Sequence, residues 1–352
     1  MRRTEGAAPI VVLALALAGV GTALSSPFTH AADAVAASSH GPGRRATPVG
    51  ATAGPDQTTG TERGAYEWDT SAWWPDPSDY AGTLARVKSL GVTTLYVDIT
   101  EAVTLTEDHS SELGSFESAF VQLVDEAGGD GLGVDAVGGD PRWATADSAG
   151  PVELLAAVSQ IVARTPEIPL EGVQFDVEPW ALKSWARHRA ADARSWLRFV
   201  QRTVSAWSSD GLRGRLGFTV PYWFDGDTGG VPRVTWDGST GYPLELALGI
   251  LSPLDETVLN VMAYRNATAG PNGSIALFSG NMDAVLGAGS HTELLAGQET
   301  GDVRPAETTF YGMTCANFET AASQITDAFD GDAPFEGIAV DDVESLEALC
   351  PS

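Results

Sequence analysis

From Gly64 onward the chain alternates short apolar runs with longer amphipathic stretches. The runs are rich in Val, Ile, Leu, Phe and Tyr, which is typical of β-strands buried on both faces. We predict eight strands: Ala65–Asp69, Thr93–Ile99, Gly133–Val137, Val173–Val177, Arg215–Val220, Val258–Ala263, Glu293–Gly297 and Gly337–Val340.

Between the strands, apolar residues recur about every 3.6 positions, which predicts amphipathic helices. The helical segments are Tyr80–Leu90, Phe116–Ala127, Pro151–Arg164, Ser184–Ser208 and Cys315–Phe329. This alternation predicts the α/β class and a (β/α)8 TIM barrel. An open doubly wound sheet is the alternative, but it rarely reaches eight alternations, and no Gly-rich phosphate loop follows the first strand. The Gly- and Pro-rich stretch 224–256 predicts an extended loop in the fifth unit.

The first 62 residues do not follow this alternation. Residues 1–34 have a basic start, an uncharged apolar run over Ile10–Leu24 and small residues near 29–34, a layout typical of a signal peptide. The run is about 15 residues, short for a membrane span, and an uncleaved anchor is the alternative. Residues 35–62, rich in Ala, Ser, Thr, Gly and Pro, predict a disordered linker. Residues 63–352 are then a single barrel domain.

The net charge and the cysteine content indicate which cellular compartment and which binding partners to expect. A net charge of −27 would repel phosphate backbones, so nucleic acid is an unexpected partner, whereas neutral or amino sugars are compatible. Cys315 and Cys350 lie in the last 40 residues. In an exported protein they are expected to form a disulfide, with two separate thiols as the alternative. We expect a secreted monomer without membrane contact after cleavage.

The segment from Glu171 to Trp180 is predicted to be a buried strand that ends in carboxylate side chains. Asp176 and Glu178 are two residues apart, so on a strand they point to the same side. Two buried acids side by side raise the pKa of one of them, which is what an acid/base catalyst needs. The alternative is a strand end whose acids form salt bridges to a loop.

Active sites of barrel enzymes lie at the C-terminal ends of the strands. Acids and aromatic residues dominate the predicted ends: Glu67, Asp69, Asp98, Glu101, Asp135, Asp140, Asp176, Glu178, Tyr222, Trp223, Asp225, Tyr264, Arg265, Asn266, Gln298, Glu299, Asp341 and Asp342. No histidine falls obviously at such an end, so we expect no histidine-based metal centre and no cofactor. An acid-only Ca²⁺ or Mg²⁺ site stays open.

Aromatic rings gather at the same strand ends: Trp68, Trp73, Trp74, Trp143, Trp180, Tyr222 and Trp223. Flat apolar rings beside carboxylates suit pyranose sugars, which offer a C–H face for stacking and hydroxyls for hydrogen bonds. The alternative is that the rings are core or loop anchors.

The fourth strand resembles the chitinase-type family 18 glycoside hydrolases, whose motif is Asp-Gly-x-Asp-x-Asp-x-Glu. Here the segment reads Glu171-Gly-Val-Gln-Phe-Asp-Val-Glu178, with Glu and Gln at the first two acid positions. The resemblance implies that Glu178 is the acid/base. It also implies that Asp176 orients a substrate acetamido group, which acts as nucleophile.

The sixth strand, Met262-Ala-Tyr264-Arg265, is similar to that family's Met-x-Tyr-Asp. The resemblance implies that Tyr264 steadies the acetamido group, and Arg265 stands where the family has an acid.

The chain also resembles barrel glycosidases with Glu-Pro at strand four and a second Glu at strand seven. Glu178-Pro179 and Glu299 fall at those places, and Val177 stands where that clan has Asn. This resemblance implies a retaining mechanism with Glu299 as nucleophile.

We therefore expect a secreted glycoside hydrolase with Glu178 as acid/base, Glu299 as nucleophile and Asp176 beside them. The expected substrate-binding residues are Tyr264, Trp223, Tyr222, Trp180, Trp68, Asp98, Asp135 and Arg265. The alternatives are a substrate-assisted hydrolase of N-acetylated sugars, a non-catalytic carbohydrate-binding barrel, and a metal-dependent hydrolase using the acid cluster.

Overall fold

A computed structural model describes residues 61–70, 79–145, 148–226 and 230–351. The predicted signal peptide, the predicted linker up to residue 60, and Trp73 and Trp74 lie outside the described residues. Within them, no helix is long and apolar enough to cross a bilayer.

Eight parallel strands close into a barrel, which confirms the predicted fold. Around the barrel the order is β1, β2, β3, β4, β5, β8, β9 and β10, and β10 pairs with β1. The barrel strands are β1 (Glu62–Glu67), β2 (Thr94–Asp98), β3 (Gly133–Gly138), β4 (Gly172–Phe175), β5 (Arg215–Pro221), β8 (Thr257–Met262), β9 (Glu293–Glu299) and β10 (Phe335–Asp341).

Helices follow the strands along the chain. They are α1 (Tyr80–Ser89), α2 (Thr100–Glu107), α3 (Leu113–Gly129), α4 (Gly150–Arg164), α5 (Trp185–Asp210), α6 (Pro243–Leu251), α7 (Ser274–Ala288), α8 (Cys315–Phe329) and α9 (Val343–Leu349). The sequence pattern did not predict α2, α6, α7 or α9. The predicted extended loop in the fifth unit contains a hairpin, β6 (Val234–Trp236) with β7 (Ser239–Gly241), followed by α6.

Two strand boundaries differ from the sequence prediction in ways that affect the site. β1 begins at Glu62, so the barrel takes in the last residue of the predicted linker. β4 ends at Phe175, so Asp176 and Glu178 lie just beyond the strand rather than inside it.

Side chains alternate between the barrel interior and the helix layer, as the pleat requires. Outward residues such as Val173, Phe175 and Phe218 join the main hydrophobic core beneath the helices. The interior holds a separate small hydrophobic cluster, which we call the interior plug: Tyr66, Tyr96, Val137, Val258, Leu295 and Ala339. Polar side chains lie below and above this plug, at the N-terminal and C-terminal ends of the strands.

The predicted disulfide is present between Cys315, the first residue of α8, and Cys350, directly after α9. Their Cα atoms are 4.8 Å apart, within the range that a disulfide requires. The bond ties the C-terminal helix to the start of α8.

Candidate active site

Glu178 lies at the C-terminal mouth of the barrel, where a 3₁₀ turn over Pro179–Ala181 begins. Its side chain is buried, with 7% of the residue exposed. Burial raises the pKa of Glu178 well above its usual value, and the charges of Asp176 and Asp341 add to the effect. The Trp180 side chain hydrogen-bonds to Glu178 and lowers the pKa only in part. Burial and the neighbouring carboxyl groups therefore favour the protonated form of Glu178.

Asp176 is held by a chain of hydrogen bonds that crosses the barrel interior. The Tyr66 hydroxyl accepts N–H groups of Gln174 and Asn260 at 2.8 and 2.7 Å. Its own proton is then free for Thr219 Oγ1, 3.1 Å away, and Thr219 hydrogen-bonds to Asp176. The other Asp176 oxygen, Oδ1, is buried without a partner among the described residues.

The surroundings of Asp176 raise its pKa to about 7. Burial is the main cause, and the charges of Asp341 and Asp98 add to it. Asp98 is half-buried on β2, and its Oδ1 accepts the backbone N–H and the hydroxyl of Thr100 at 2.9 and 2.6 Å. The structure thus places Asp98 at the mouth beside Asp176, as the sequence predicted.

Glu299 and Asp341 are paired neighbours at the ends of β9 and β10. Glu299 is 3% exposed, and its Oε1 accepts the N–H of Gly301 at 2.6 Å. Burial, followed by the charge of Asp341, raises the pKa of Glu299 to about 9. At neutral pH this carboxyl is protonated.

Asp341 is partly exposed and receives several hydrogen bonds. Its Oδ1 accepts the indole N–H of Trp68 at 2.8 Å, and its Oδ2 accepts the Tyr264 hydroxyl at 3.4 Å. The Glu299 carboxyl also hydrogen-bonds to it. Burial and the charge of Asp342 raise the pKa of Asp341 to about 6, and these donors limit the rise. The sequence placed Asp341 among the strand-end acids without giving it a role.

Trp143 packs in the hydrophobic core instead of at the mouth, whereas the other predicted tryptophans that the structure describes form two groups there. Trp180 and Trp223 are half-buried and meet edge to face, with ring centroids 5.7 Å apart, and both contact Trp185. On the other side, Trp68 stacks on Tyr66 at 4.9 Å and 8°. These contacts fix the orientation of each ring, while part of Trp68, Trp180 and Trp223 stays accessible.

Arg265 lies against Tyr222 at the rim of the mouth. Its guanidinium is 5.4 Å from the centre of the Tyr222 ring, and Nη2 donates to the Tyr222 hydroxyl at 3.2 Å. Nη1 donates to the carbonyl of Tyr264. In the described ranges no carboxylate forms an ion pair with Arg265.

Asp135 was predicted among the substrate-binding residues, and the structure places it at the opposite end of the barrel. It is the third residue of β3, has no exposed surface, and bonds to Arg215 Nε at 2.8 Å. The same guanidinium binds Glu62 through Nη1 at 2.6 Å and through Nη2 at 3.1 Å. Arg215 and Glu62 are the first residues of β5 and β1. Asp135 therefore belongs to an ion-pair network beneath the interior plug.

Glu67 faces away from the barrel interior although it ends β1. It is buried, and its carboxyl hydrogen-bonds to that of Glu344 on α9. Burial and this neighbour raise the pKa of Glu67 to about 10. Among the described residues, one group of potential metal ligands converges within 4.8 Å: Cys315, Glu319 and Cys350. Since both cysteines are in the disulfide, this group is not a metal centre.

No model of a known protein family matches this sequence, and no curated protein matches it. The structure is similar to β-glucosidase 2 from the fungus Trichoderma reesei, with 10% identity, a TM-score of 0.51, and coverage of 80% of this chain and 88% of that chain. A family 1 β-glucosidase from Thermotoga maritima gives the same identity, coverage and TM-score. A family 18 chitinase from Cycas revoluta aligns over 82% of this chain and 97% of its own, with 11% identity and a TM-score of 0.48. In fold, the chain thus resembles the barrels of these two β-glucosidases.

Proposed function

We propose that this protein is a glycoside hydrolase in which Glu178 protonates the leaving glycosidic oxygen. The observation that carries the proposal is the buried Glu178 carboxyl at the barrel mouth, whose pKa is raised by burial and by its neighbours Asp176, Asp341 and Glu299. Glycoside hydrolysis needs one protonated acid and one ionised carboxylate around the same bond. Environments that push the pKa values of neighbouring acids apart provide that division of roles.

The second carboxylate comes from the pair on β9 and β10. The sequence prediction of Glu299 as nucleophile requires this residue to ionise and to reach the anomeric carbon. Asp341 next to it offers the same chemistry from the adjacent strand. A retaining mechanism results if either one attacks the anomeric carbon directly.

The substrate we propose is a neutral or amino sugar. Trp68, Trp180 and Trp223 supply partly accessible rings around the acids, and such rings stack on pyranose C–H faces. The guanidinium of Arg265 can bind sugar hydroxyls at the rim. The net charge of −27 opposes the approach of polyanionic chains.

A substrate-assisted mechanism on N-acetylated sugars is the second candidate. Asp176, with its unpartnered Oδ1, and the Tyr264 hydroxyl lie in the same mouth as Glu178, which favours it. Under this mechanism only substrates with an acetamido group are cleaved. A screen of matched glucosides and N-acetylglucosaminides separates the two routes.

Glu178→Gln tests the proposal directly on a panel of chromogenic glycosides and polysaccharides. The substitution keeps the size and most hydrogen bonds but removes the proton donor, so kcat should fall by roughly 10²–10⁴-fold. Glu171→Gln, at the other end of the same strand segment, is the matched control and should keep wild-type activity. Hydrolysis by Glu178→Gln at the wild-type rate would exclude Glu178 as the catalyst. Sugar binding without any turnover in the wild type would instead support a non-catalytic barrel.

We also propose that the protein is exported and works as a monomer. The Cys315–Cys350 disulfide supports an oxidising compartment, because glutathione and thioredoxin keep cytosolic thiols reduced. Mass spectrometry of the protein purified from the culture medium tests both export and cleavage near residues 31–34.

A further inference from the structure

Asp341 is the best-placed ionised carboxylate at the barrel mouth. As the last residue of β10 it continues the interior row that contains Ala339, so it faces the mouth. The indole of Trp68 and the hydroxyl of Tyr264 each bond to a different Asp341 oxygen, at 2.8 and 3.4 Å. The two carboxylate oxygens are therefore fixed in orientation, and Oδ2, on the longer bond, is the freer one.

Glu299 is less suited to attack a substrate than its neighbour. It is 3% exposed, whereas Asp341 is partly exposed. Its Oε1 is occupied by the N–H of Gly301 at 2.6 Å. Because Glu299 is the more deeply buried of the two and Asp341 accepts hydrogen bonds from Trp68 and Tyr264, the ionised form is favoured on Asp341 and the shared proton on Glu299. Glu299 then donates a hydrogen bond to Asp341.

Asp176 is the other carboxylate near Glu178, and its position is unfavourable for attack. It follows the same strand as Glu178, only two residues earlier, and it is engaged by Thr219 from beneath. A nucleophile must approach the anomeric carbon from the side opposite the proton donor. Asp341 lies on β10, directly across the barrel from β4. In the closed order three strands separate β10 from β4 on either side.

We propose that Asp341 is the catalytic nucleophile opposite Glu178, and that Glu299 is a positioning residue that holds Asp341. This proposal rests on the proposed glycoside hydrolysis. An Asp341 oxygen attacks the anomeric carbon while the bond to the leaving oxygen breaks. The bonding electrons pass to the leaving oxygen, which takes the proton of Glu178. Water then attacks the anomeric carbon, loses a proton to Glu178 and releases the Asp341 carboxylate with the free sugar.

Covalent labelling of the wild-type enzyme identifies the nucleophile without any variant. An epoxide-bearing cyclitol that mimics the best substrate of the panel reacts with the attacking carboxylate, and peptide mass spectrometry locates the ester. We expect the label on Asp341. A label on Glu299 overturns this proposal and leaves the proposed function intact, whereas a wild-type protein that hydrolyses no glycoside overturns the proposed function itself.

Three variants give a second, kinetic answer. Asp341→Asn should lower kcat on an activated aryl glycoside by on the order of 10⁴-fold, and azide should partly restore turnover with a glycosyl azide product. Glu299→Gln keeps a donor toward Asp341 and should stay active. Glu299→Leu removes that donor, so the acidic limb of the kcat/KM profile should move to higher pH. Asp327→Asn is the control, since Asp327 is an exposed acid near the end of α8 and its replacement should leave the rate and the pH profile unchanged.

The two substitutions at Glu299 separate a positioning role from a nucleophilic one. If Glu299→Gln is as inactive as Asp341→Asn, and azide rescues Glu299→Gln alone, Glu299 is the nucleophile and the proposal is wrong. If Glu299→Leu is active with an unshifted pH profile, Glu299 does not position Asp341.

Discussion

Replacing Arg215 by Leu should destabilise the barrel strongly and in a pH-dependent way. The Arg215 guanidinium bonds to Asp135 at 2.8 Å and to Glu62 at 2.6 and 3.1 Å. The side chains of the three residues are 14%, 0% and 8% exposed, respectively. Removing one member of such a buried network leaves charges without a partner, which typically costs about 3–5 kcal/mol. With an entropy of unfolding of about 2.1 cal/mol/K per residue, this corresponds to a fall in Tm of roughly 5–8 °C for a domain of about 290 residues.

The sign of the pH dependence follows from Asp135. Its pKa in the folded protein is raised to about 7, mainly by burial, although Arg215 lowers it. A carboxyl whose pKa is raised on folding stabilises the protein at low pH, and this stability is lost as pH rises through the folded pKa. Without Arg215 the pKa of Asp135 rises further. The penalty of Arg215→Leu should therefore be smaller near pH 4–5, where only the loss of the bonds to Glu62 contributes, and grow toward pH 7 and above.

Urea denaturation at pH 5.0 and 7.5 measures this effect as a difference in the free energy of unfolding. Arg213→Leu is the matched control, because Arg213 is an exposed arginine two residues earlier. Such surface changes usually stay within about 0.5 kcal/mol. Equal stability of Arg215→Leu and wild type at pH 7.5, or the same penalty at both pH values, would refute the assignment of Asp135 to a structural network.

Two further predictions concern the disulfide and the support of Asp176. Replacing Cys315 and Cys350 by Ala should lower the free energy of unfolding by up to about 4 kcal/mol, the chain-entropy value for a loop of this length, given the sequence separation of 35. An unchanged urea midpoint would contradict it. In Gly139→Ala the new Cβ would lie 1.7 Å from the backbone oxygen of Asp176, so that strand end must shift. Since a shift near 1 Å can cost on the order of 10²-fold in rate, kcat should fall, while Gly129→Ala, with nothing within 4 Å, should match wild type. Full activity of Gly139→Ala would show that the position of Asp176 is not critical.

The barrel and most of its strand ends were predictable because they depend on local patterns. Apolar runs and 3.6-residue periodicity are properties of neighbouring residues, and eight alternations leave few folds to choose from. The alternation of side chains along a strand also predicts which residues face the interior. On that basis the sequence predicted that Asp176, Glu178 and Glu299 lie at one mouth of the barrel. The disulfide was predicted separately, because the chain has two cysteines and a predicted signal peptide.

Tertiary structure decided what each interior acid does. The alternation of side chains along each strand places both Asp135 and Asp341 inside the barrel. The stagger between strands decides where along the barrel axis each of them lies. Asp135 meets Arg215, 80 residues away in sequence, below the interior plug. Asp341 meets Trp68, 273 residues away, above it. The division of protons between Glu299 and Asp341 likewise depends on burial and on donors from distant strands. A pKa reports the whole three-dimensional surroundings of a carboxyl, and these arise only when the barrel closes.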